Sequence, residues 1–158
     1  METTRHFTAS VYVVNDGATA LHHHRRLGLR LPPGGHVDRD ELPHEAGLRE
    51  VREETGLEAT LLGETPDFAS ATSRPIPRPR HLMLADVNRY DGRVGHQHVD
   101  HVYYATVPSR EIEPDDGEED ADAWAWYEPA DLDAADVDAD VVALGREAIA
   151  AASERGGR

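Results

Sequence analysis

The hydrophobic positions in the first third of the chain follow the pattern of strands separated by turns. Residues 7–14 are rich in β-branched and aromatic side chains and predict a strand, and the Asn-Asp-Gly run at 15–17 is a strong turn signal. Residues 18–31 predict one or two further short strands. The Pro-Pro-Gly-Gly run at 32–35 then predicts a loop.

Two later segments have the pattern of helices. Pro43 suits the first turn of a helix and Gly56 suits the position just past its end, with Ala46 and Val51 as apolar contacts between them. Residues 137–152 repeat apolar side chains with a period of about 3.6, which predicts a terminal helix.

Four more strands are expected, at residues 59–62, 81–87, 99–107 and 123–127. The middle two would be joined across Asp91-Gly92 and Gly95, and the proline-rich segment 64–80 predicts a loop before them. A turn or short helix is expected to start at Glu128. Strands combined with two main helices predict one α/β domain with a mixed sheet, spanning residues 1–158.

The charge balance narrows the range of partners. The chain has 31 Asp and Glu against 16 basic residues, all of them Arg, which gives a formal net charge of −15. Residues 111–140 hold 14 of these acids and no basic side chain. This balance argues against a nucleic-acid or anionic-membrane partner, which would carry the same sign of charge. An acidic surface without lysine is typical of proteins that work in molar salt, so a halophilic protein is expected. The alternative is GC-rich codon usage combined with one acidic loop.

Residue types that are absent also limit the chemistry. The chain has no cysteine, which excludes disulfides, zinc–thiolate sites and a thiol nucleophile. No apolar run approaches the ~18 residues of a membrane span, and the first residues lack a signal-peptide pattern. We therefore expect a soluble, cytoplasmic protein with no membrane partner.

Three glutamates in the first predicted helix are the strongest candidates for chemistry. Glu50, Glu53 and Glu54 lie at positions i, i+3 and i+4, so their side chains share one helix face. Three neighbouring anions repel one another unless cations accompany them, and Mg²⁺ prefers carboxylate oxygens. The preceding Gly34-Gly35 would let the backbone approach such an ion closely. Taken alone, this segment could equally be a solvated helix with salt bridges to its arginines.

The wider spacing decides between these alternatives. Gly35 is followed after five residues by Glu41, and after seven more by the run REVREETGL at 49–57. This spacing matches every fixed position of the Nudix box (residues 35–57), and chance would produce it at a given start on the order of once in 10⁹. The chain therefore resembles the Nudix hydrolase family. Most of residues 7–135 share the resemblance, although Leu42 and Gly47 replace the usual helix cap and alanine.

The resemblance implies the family's fold, an α/β/α sandwich with a mixed β-sheet between helices. It implies that Glu50, Glu53 and Glu54 bind Mg²⁺, or alternatively Mn²⁺, with help from the carbonyl of Gly34. Glu53 and Glu54 are accordingly the catalytic candidates, and Glu53 is the expected general base.

Other acids and box residues have different expected roles. Some family members place the general base on a later loop, where five acids of this chain have the right chemistry: Glu113, Asp115, Asp116, Glu118 and Glu119. Glu41 and Arg49 are expected to form an ion pair that fixes the loop against the helix. Gly35 and Gly56 complete the structural positions of the box.

Side chains outside the box are candidates for substrate binding. Guanidinium groups can bind phosphate with two hydrogen bonds, although arginines could also simply balance an acidic surface. His98 and Asp100 would alternate onto one face of a strand that borders the substrate in related proteins, and His22 and His24 would share a strand face where imidazoles could bind a metal. Ordinary surface histidines are the alternative. The substrate-binding candidates are Arg25, Arg30, Arg78, Arg80, His98 and Asp100.

The activity implied by the resemblance is Mg²⁺-dependent pyrophosphate hydrolysis. Water would attack a phosphorus in the diphosphate linkage of a nucleoside polyphosphate or of a nucleoside diphosphate joined to another group. ADP-ribose-like, NADH-like and modified nucleoside triphosphate substrates stay open, and the Ser-x-Pro-x-Pro-x-Pro run at 73–79 is partly similar to one in NADH pyrophosphatases.

The alternative from another class is a Nudix domain that senses a nucleotide without cleaving it. In either case the expected partner is a small nucleotide. Dimers are common in the family, so a homodimer is one expected assembly, although no segment of the sequence identifies its interface.

Overall fold

The computed structural model describes residues 2–134 and 136–156, and in this range it contains eight strands and three α-helices. The strands are β1 (Thr4–Asn15), β2 (Ala18–His24), β3 (Leu29–Leu31), β4 (Gly34–His36), β5 (Thr60–Leu61), β6 (His81–Tyr90), β7 (Arg93–Thr106) and β8 (Trp124–Tyr127). The helices are α1 (Pro43–Thr55), α2 (Pro129–Ala134) and α3 (Ala139–Gly156), and a short 3-10 helix covers Ala121–Ala123. Across these residues, none of the helices combines the length and apolar character needed to cross a membrane.

The strands form one mixed sheet around a long central pair. Its main path runs β3-β2-β1-β7-β5, and β4, β6 and β8 pair beside it with β1, β7 and β2. β1 and β7 are parallel, from Thr4 opposite His96 to Val14 opposite Thr106. The other strand pairs recorded in the described residues are antiparallel. A mixed sheet was predicted, and the structure confirms it.

Helices cover both faces of the sheet and bury its apolar residues in two cores. On one face, Ala46 and Val51 of α1 pack with residues of β1 and β7 such as Tyr103. On the other face, Leu132 of α2 and Leu144 of α3 pack with further side chains of the same strands. The sheet therefore lies between α1 and α3, and the predicted α/β/α sandwich is confirmed.

Several boundaries differ from those that the hydrophobic pattern predicts. The expected loop at 32–35 contains the start of β4, because Gly34 and Gly35 pair through their backbones with β1. Glycine has no side chain that would indicate this pairing in the sequence. The β6–β7 hairpin turns at Asp91-Gly92, both with positive φ, and Gly95 lies inside β7 rather than in the turn. The terminal helix is shifted from 137–152 to Ala139–Gly156.

The two ends of α1 are stabilised differently. Leu42 precedes the helix and its side chain makes no capping hydrogen bond, but the Glu45 carboxylate accepts the Leu42 N–H at 2.8 Å. One half of a capping box is therefore present. At the other end Gly56 has a φ of 72°, and its N–H donates to the Arg52 carbonyl at 2.8 Å. Glycine adopts this left-handed conformation without strain, which ends the helix where the sequence predicts.

Gly47 allows α1 to lie close to β1. A Cβ at this position would come within 2.8 Å of the Val11 Cγ2 methyl group, closer than carbon atoms approach in folded proteins. Helix propensity alone predicts that glycine costs α1 about 1 kcal/mol relative to alanine. The structure shows why that prediction is incomplete, since the missing side chain is what permits the contact between helix and sheet.

Candidate functional site

Three of the four glutamates of helix α1, Glu50, Glu53 and Glu54, are buried to different extents, and Glu50 and Glu54 lie against β4. The side chains of Glu50 and Glu54 are only 15% and 12% exposed, whereas that of Glu53 is 37% exposed. Glu54 accepts a hydrogen bond from the N–H of Gly34 at 3.3 Å. A Cβ on Gly35 would overlap the carboxylate of Glu50 and displace it from its present position.

Arg49 ties the glutamates to the loop before the helix. Its guanidinium donates two hydrogen bonds to Glu41, at 2.7 and 2.9 Å, and others to Glu50 at 3.0 Å and Glu53 at 3.2 Å. A further bond to the carbonyl of His36, at 3.1 Å, reaches β4. The bidentate ion pair between Glu41 and Arg49 is thus present in the structure, and it lowers the pKa of Glu41.

Glu54 is a carboxyl group whose surroundings oppose its negative charge. Burial is the main cause, and the neighbouring Glu50 carboxylate adds to it, so the pKa of Glu54 is raised well above its ordinary value. The N–H of Gly34 acts in the opposite direction but does not offset these effects. Two carboxylates in this position need a shared proton or a cation between them.

His22 lies next to Glu54 on the floor of the site. Its Nε2 is 3.9 Å from a Glu54 oxygen, which is too long for a hydrogen bond, and its ring packs on Trp124 with the centroids 4.7 Å apart. Burial, followed by the nearby His24, lowers the pKa of His22, so the imidazole is neutral at pH 7. The contact with Glu54 is therefore not an ion pair, and the buried Nδ1 has no hydrogen-bond partner in the structure.

A cleft of about 590 Å³ opens beside these groups and has the size of a small-ligand site. Gly34, Gly35 and Glu54 form part of its wall. Asp100 also lines the cleft and accepts hydrogen bonds from Thr8 Oγ1 at 2.9 Å and Ser10 Oγ at 2.8 Å, which hold its carboxylate in place.

His98 also lines this cleft, and of the six proposed substrate-binding residues it and Asp100 are the two that the fold brings there. Burial and the neighbouring histidines His36, His96 and His6 lower the pKa of His98, so its ring is neutral at pH 7. A neutral ring can accept as well as donate a hydrogen bond.

The acidic loop after β7 is attached to the end of α1. The N–H of Glu113 donates to the Thr55 carbonyl at 2.9 Å, and that of Asp115 donates to the Glu53 carbonyl at 2.8 Å. These bonds bring Glu118 and Glu119 to the cleft. The pKa of Glu118 is raised, mainly by partial burial and then by the charges of Glu50 and Glu53, because this carboxyl group lies near the glutamates of α1.

The four arginines proposed for substrate binding are not among the residues that line the cleft. Arg25 is exposed in the turn after β2, and Arg30 donates to the carbonyl of residue 136 at 2.8 Å. Arg80 lies over the ring of Tyr104, 5.5 Å from its centroid, and Arg78 is exposed on the preceding loop. Their positions therefore do not support a role in substrate binding. The register of β3 directs Arg30 away from the cleft, and the proline-rich loop that carries Arg78 and Arg80 runs outside it.

Thr8, Ser10 and Trp124 were not identified from the sequence as site residues. A signal for the first two exists, since both are polar positions two residues apart in an otherwise apolar strand and so share a face. Trp124 reaches the site because β8 pairs with β2 opposite His22, a long-range register that local patterns do not show.

The residues present fit a divalent cation held by oxygen atoms. Glu50 and Glu54 meet in a mostly buried position, and Gly35 leaves room there that a Cβ would fill. Hard carboxylate and carbonyl oxygens are the ligands that Mg²⁺ and Mn²⁺ prefer. Glu53 is nearer to solvent and is held by Arg49, so it can contribute an oxygen ligand from the solvent-exposed side of the site.

Comparisons with known proteins point to one family. The model of the NUDIX domain family matches residues 4–145. Over 63 residues the chain is 41% identical to the bis(5'-nucleosyl)-tetraphosphatase (asymmetrical) of Mus musculus, and the match covers 38% of this chain and 43% of the mouse protein. Over 59 residues it is 42% identical to the m7GpppN-mRNA hydrolase NUDT17 of Xenopus laevis, covering 34% of this chain and 20% of that protein. The chain thus spans less than half the length of these curated relatives.

A solved structure matches over most of its length. The hydrolase of the NUDIX family from Clostridium perfringens is 34% identical, with a TM-score of 0.77. The match covers 92% of this chain and 97% of the other.

Proposed function

The chain belongs to the NUDIX domain family, and from that premise we propose that it is a Mg²⁺-dependent pyrophosphohydrolase. Its substrate would be a nucleoside polyphosphate or a nucleoside diphosphate joined to another group. Hydrolysis would proceed by attack of water at a phosphorus of the diphosphate linkage. The observation that carries this proposal is that Glu54 lines a cleft large enough for a nucleotide and meets Glu50 of the same helix behind it.

Glu50, Glu53 and Glu54, together with the carbonyl of Gly34, are the residues that would hold the cation. When bound, the ion would polarise phosphoryl oxygens and lower the pKa of coordinated water. Arg49 keeps Glu50 and Glu53 close together through its hydrogen bonds. The Gly34 N–H orients Glu54.

Glu53 is our candidate for the general base, and Glu118 is the second candidate. Glu53 is the most exposed of the three helix glutamates, so a water molecule can reach it. Glu118 is favoured by its place on the cleft and by its raised pKa, because a base with a pKa nearer to neutrality accepts a proton more effectively. If Glu118→Gln lowers kcat more than Glu53→Gln does, the assignment of Glu53 as base is wrong.

The other walls of the cleft suit a nucleoside. Leu29, Leu31 and Val87 offer apolar surface for a flat base, and Asp100 offers a fixed acceptor for amino or hydroxyl groups. His98 adds a neutral ring at the same end. The names of the mouse and frog relatives favour dinucleoside polyphosphates as the first substrates to test, with ADP-ribose and NADH as the alternative class.

Substitution of the glutamates tests the catalytic site. Glu53→Gln and Glu54→Gln should each lower Mg²⁺-dependent kcat by about 10²-fold or more, in the range for losing a general base. The matched control is Glu58→Gln, which makes the same change at an exposed position just after α1 and should keep the wild-type rate. Wild-type kcat in both site variants would refute the assignment.

A substrate panel tests the reaction itself. Diadenosine tetraphosphate, a capped dinucleotide, ADP-ribose, NADH, nucleoside triphosphates and an oxidised guanine triphosphate should be incubated with Mg²⁺ at high and low KCl in ¹⁸O-labelled water. Turnover with the label in a phosphate product is the expected result. Binding of a nucleotide without turnover of any compound would instead favour a domain that senses nucleotides.

A further inference from the structure

Four histidines form a cluster on the sheet, and two of them, His36 and His98, line the same cleft as Glu54. They come from three adjacent strands: His36 from β4, His6 from β1, and His96 and His98 from β7. Neighbouring rings lie close, with centroids 4.6 Å apart for His6 and His96, 5.2 Å for His96 and His98, and 5.0 Å for His36 and His98. We refer to these four residues as the histidine cluster.

Strand register explains why the rings meet. In the parallel β1–β7 pair, His6 lies opposite His98 and Thr4 lies opposite His96, and in the β1–β4 pair Thr8 lies opposite His36. Residues directly opposite or two apart on a strand project from the same face of a sheet. All four imidazoles therefore project from one face, although they are separated by up to 92 residues in the chain.

Three of these rings are arranged as ligands. One ring nitrogen from each of His6, His96 and His98 lies within 4.8 Å of the others. Three imidazoles around one Zn²⁺ have nitrogens about 3.4 Å apart, given a Zn–N distance of about 2.1 Å, so small side-chain rotations would complete the site. We propose that His6, His96 and His98 bind a late first-row divalent cation of the Zn²⁺ type.

Contacts around the cluster support a metal ligand rather than a chance grouping. Thr4 Oγ1 lies 2.8 Å from Nδ1 of His96, so that a hydrogen bond can orient this ring and leave Nε2 for the ion. Metal-binding histidines are commonly held in this way through their second nitrogen. His36 contacts both His6 and His98 and is placed to limit how their rings turn.

The chemistry of the donors separates this site from the glutamate site. Imidazole nitrogen favours Zn²⁺, Cu²⁺ and Ni²⁺, whereas carboxylate and carbonyl oxygens favour Mg²⁺ and Mn²⁺. The two sites would therefore take different ions from the same solution. Because His98 also lines the cleft, the cation of the histidine cluster would lie at the rim of the space that the proposed substrate enters.

Metal titration of protein without an affinity tag tests the proposal. Zn²⁺ should be titrated calorimetrically into the full chain in excess Mg²⁺, which occupies the glutamates, and one Zn²⁺ per chain is expected to bind. His6→Gln and His96→Gln should each weaken this binding by at least about tenfold, as loss of one of three ligands requires. The matched control is His23→Gln, an exposed strand histidine outside the cluster, which should bind as the wild type does.

Other results would overturn the proposal. No binding of Zn²⁺ to the wild type, or binding that His6→Gln and His96→Gln leave unchanged, would show that the histidine cluster is not a metal site. Replacement of Zn²⁺ by Co²⁺ gives a second readout, since nitrogen-bound Co²⁺ of low coordination number absorbs visible light and the two variants should lose this absorption. Circular dichroism verifies that the variants are folded. None of these measurements uses substrate, so failure here would leave the hydrolase proposal untouched.

Discussion

Glu54 is a residue whose protonation is coupled to folding. In the metal-free protein its carboxyl group is buried against Glu50, and its pKa is raised, so it holds a proton at pH values where an unfolded glutamate has lost it. The native state then binds more protons than the unfolded state, and the free energy of unfolding falls as the pH rises above the ordinary glutamate pKa. A cation bound between Glu50 and Glu54 would stabilise both carboxylates in their charged form.

At this scale we predict that Glu54→Gln stabilises the metal-free protein at pH 8. Glutamine keeps an oxygen that can accept the Gly34 N–H, and it is neutral without taking up the proton that the native Glu54 carboxyl group must bind. The free energy of unfolding in urea with EDTA should rise by about 1–3 kcal/mol, the range for relieving a buried polar group. The gain should shrink towards pH 4, where the wild-type carboxyl group is protonated in both states.

The same variant should also lose the response to metal. Wild-type protein is expected to gain stability on addition of Mg²⁺, because a ligand that binds only the native state stabilises it, and Glu54→Gln should gain much less. Glu58→Gln, with its exposed side chain, serves as the control for both measurements. Equal stability of wild type and Glu54→Gln at pH 8 without metal would contradict the charge-burial argument.

At the scale of elements, the contact between α1 and β1 decides how the glutamates meet β4. Gly47 lies over Val11, so this glycine sets the distance between the helix and the sheet. A side chain at Gly47 would push the two layers apart, whereas one at Gly35 would displace the Glu50 carboxylate.

We therefore predict that Gly47→Ala destabilises the protein although alanine is the better helix former. The added Cβ would overlap the stiff Val11 side chain, and overpacking of this kind costs about 1–3 kcal/mol, more than the ~1 kcal/mol gained in helix propensity. Chemical unfolding measures the change. As a control, the double variant Gly47→Ala/Val11→Ala should be more stable than Val11→Ala alone, because removing the valine leaves room for the better helix former. An increase in the free energy of unfolding on Gly47→Ala alone would refute the packing argument.

At the scale of the whole molecule, net charge is the dominant feature. A formal charge of −15 on 158 residues disfavours the compact state through repulsion, and salt screens that repulsion. The halophilic character inferred from composition stays a prediction, as do the cytoplasmic location and the homodimer.

We predict that KCl stabilises this protein. Between 0.1 and 2 M KCl, a gain of about 2 kcal/mol would raise Tm by about 4–8 °C for a chain of this size. The triple variant Asp116→Asn/Asp120→Asn/Asp122→Asn removes three exposed charges from the acidic loop and should reduce the gain. A Tm that does not change with KCl would show that the acidic composition has no role in salt tolerance.

Local spacing along the chain was sufficient to predict α1 and its functional face. Pro43, Gly56 and the positions of Glu50, Glu53 and Glu54 depend only on helical periodicity and on residue types within one element. The long strands were likewise predicted from residue types within one element, because they are rich in β-branched side chains. The alternation of strands and helices indicated one α/β domain with a mixed sheet, and the resemblance to the Nudix family added the sandwich.

Only the tertiary structure decided which distant residues share the site. Thr8, His22 and Glu118 reach the cleft through strand pairing and a loop attached to α1, and the histidine cluster depends on the β1–β7 register. The proposed arginines lie elsewhere for the same reason. A shift of one residue in register turns every side chain of a strand to the other face, and the residues that set it are far apart in sequence. The sequence therefore determined the helix that carries the proposed metal ligands, whereas the pairing of distant strands determined what surrounds it.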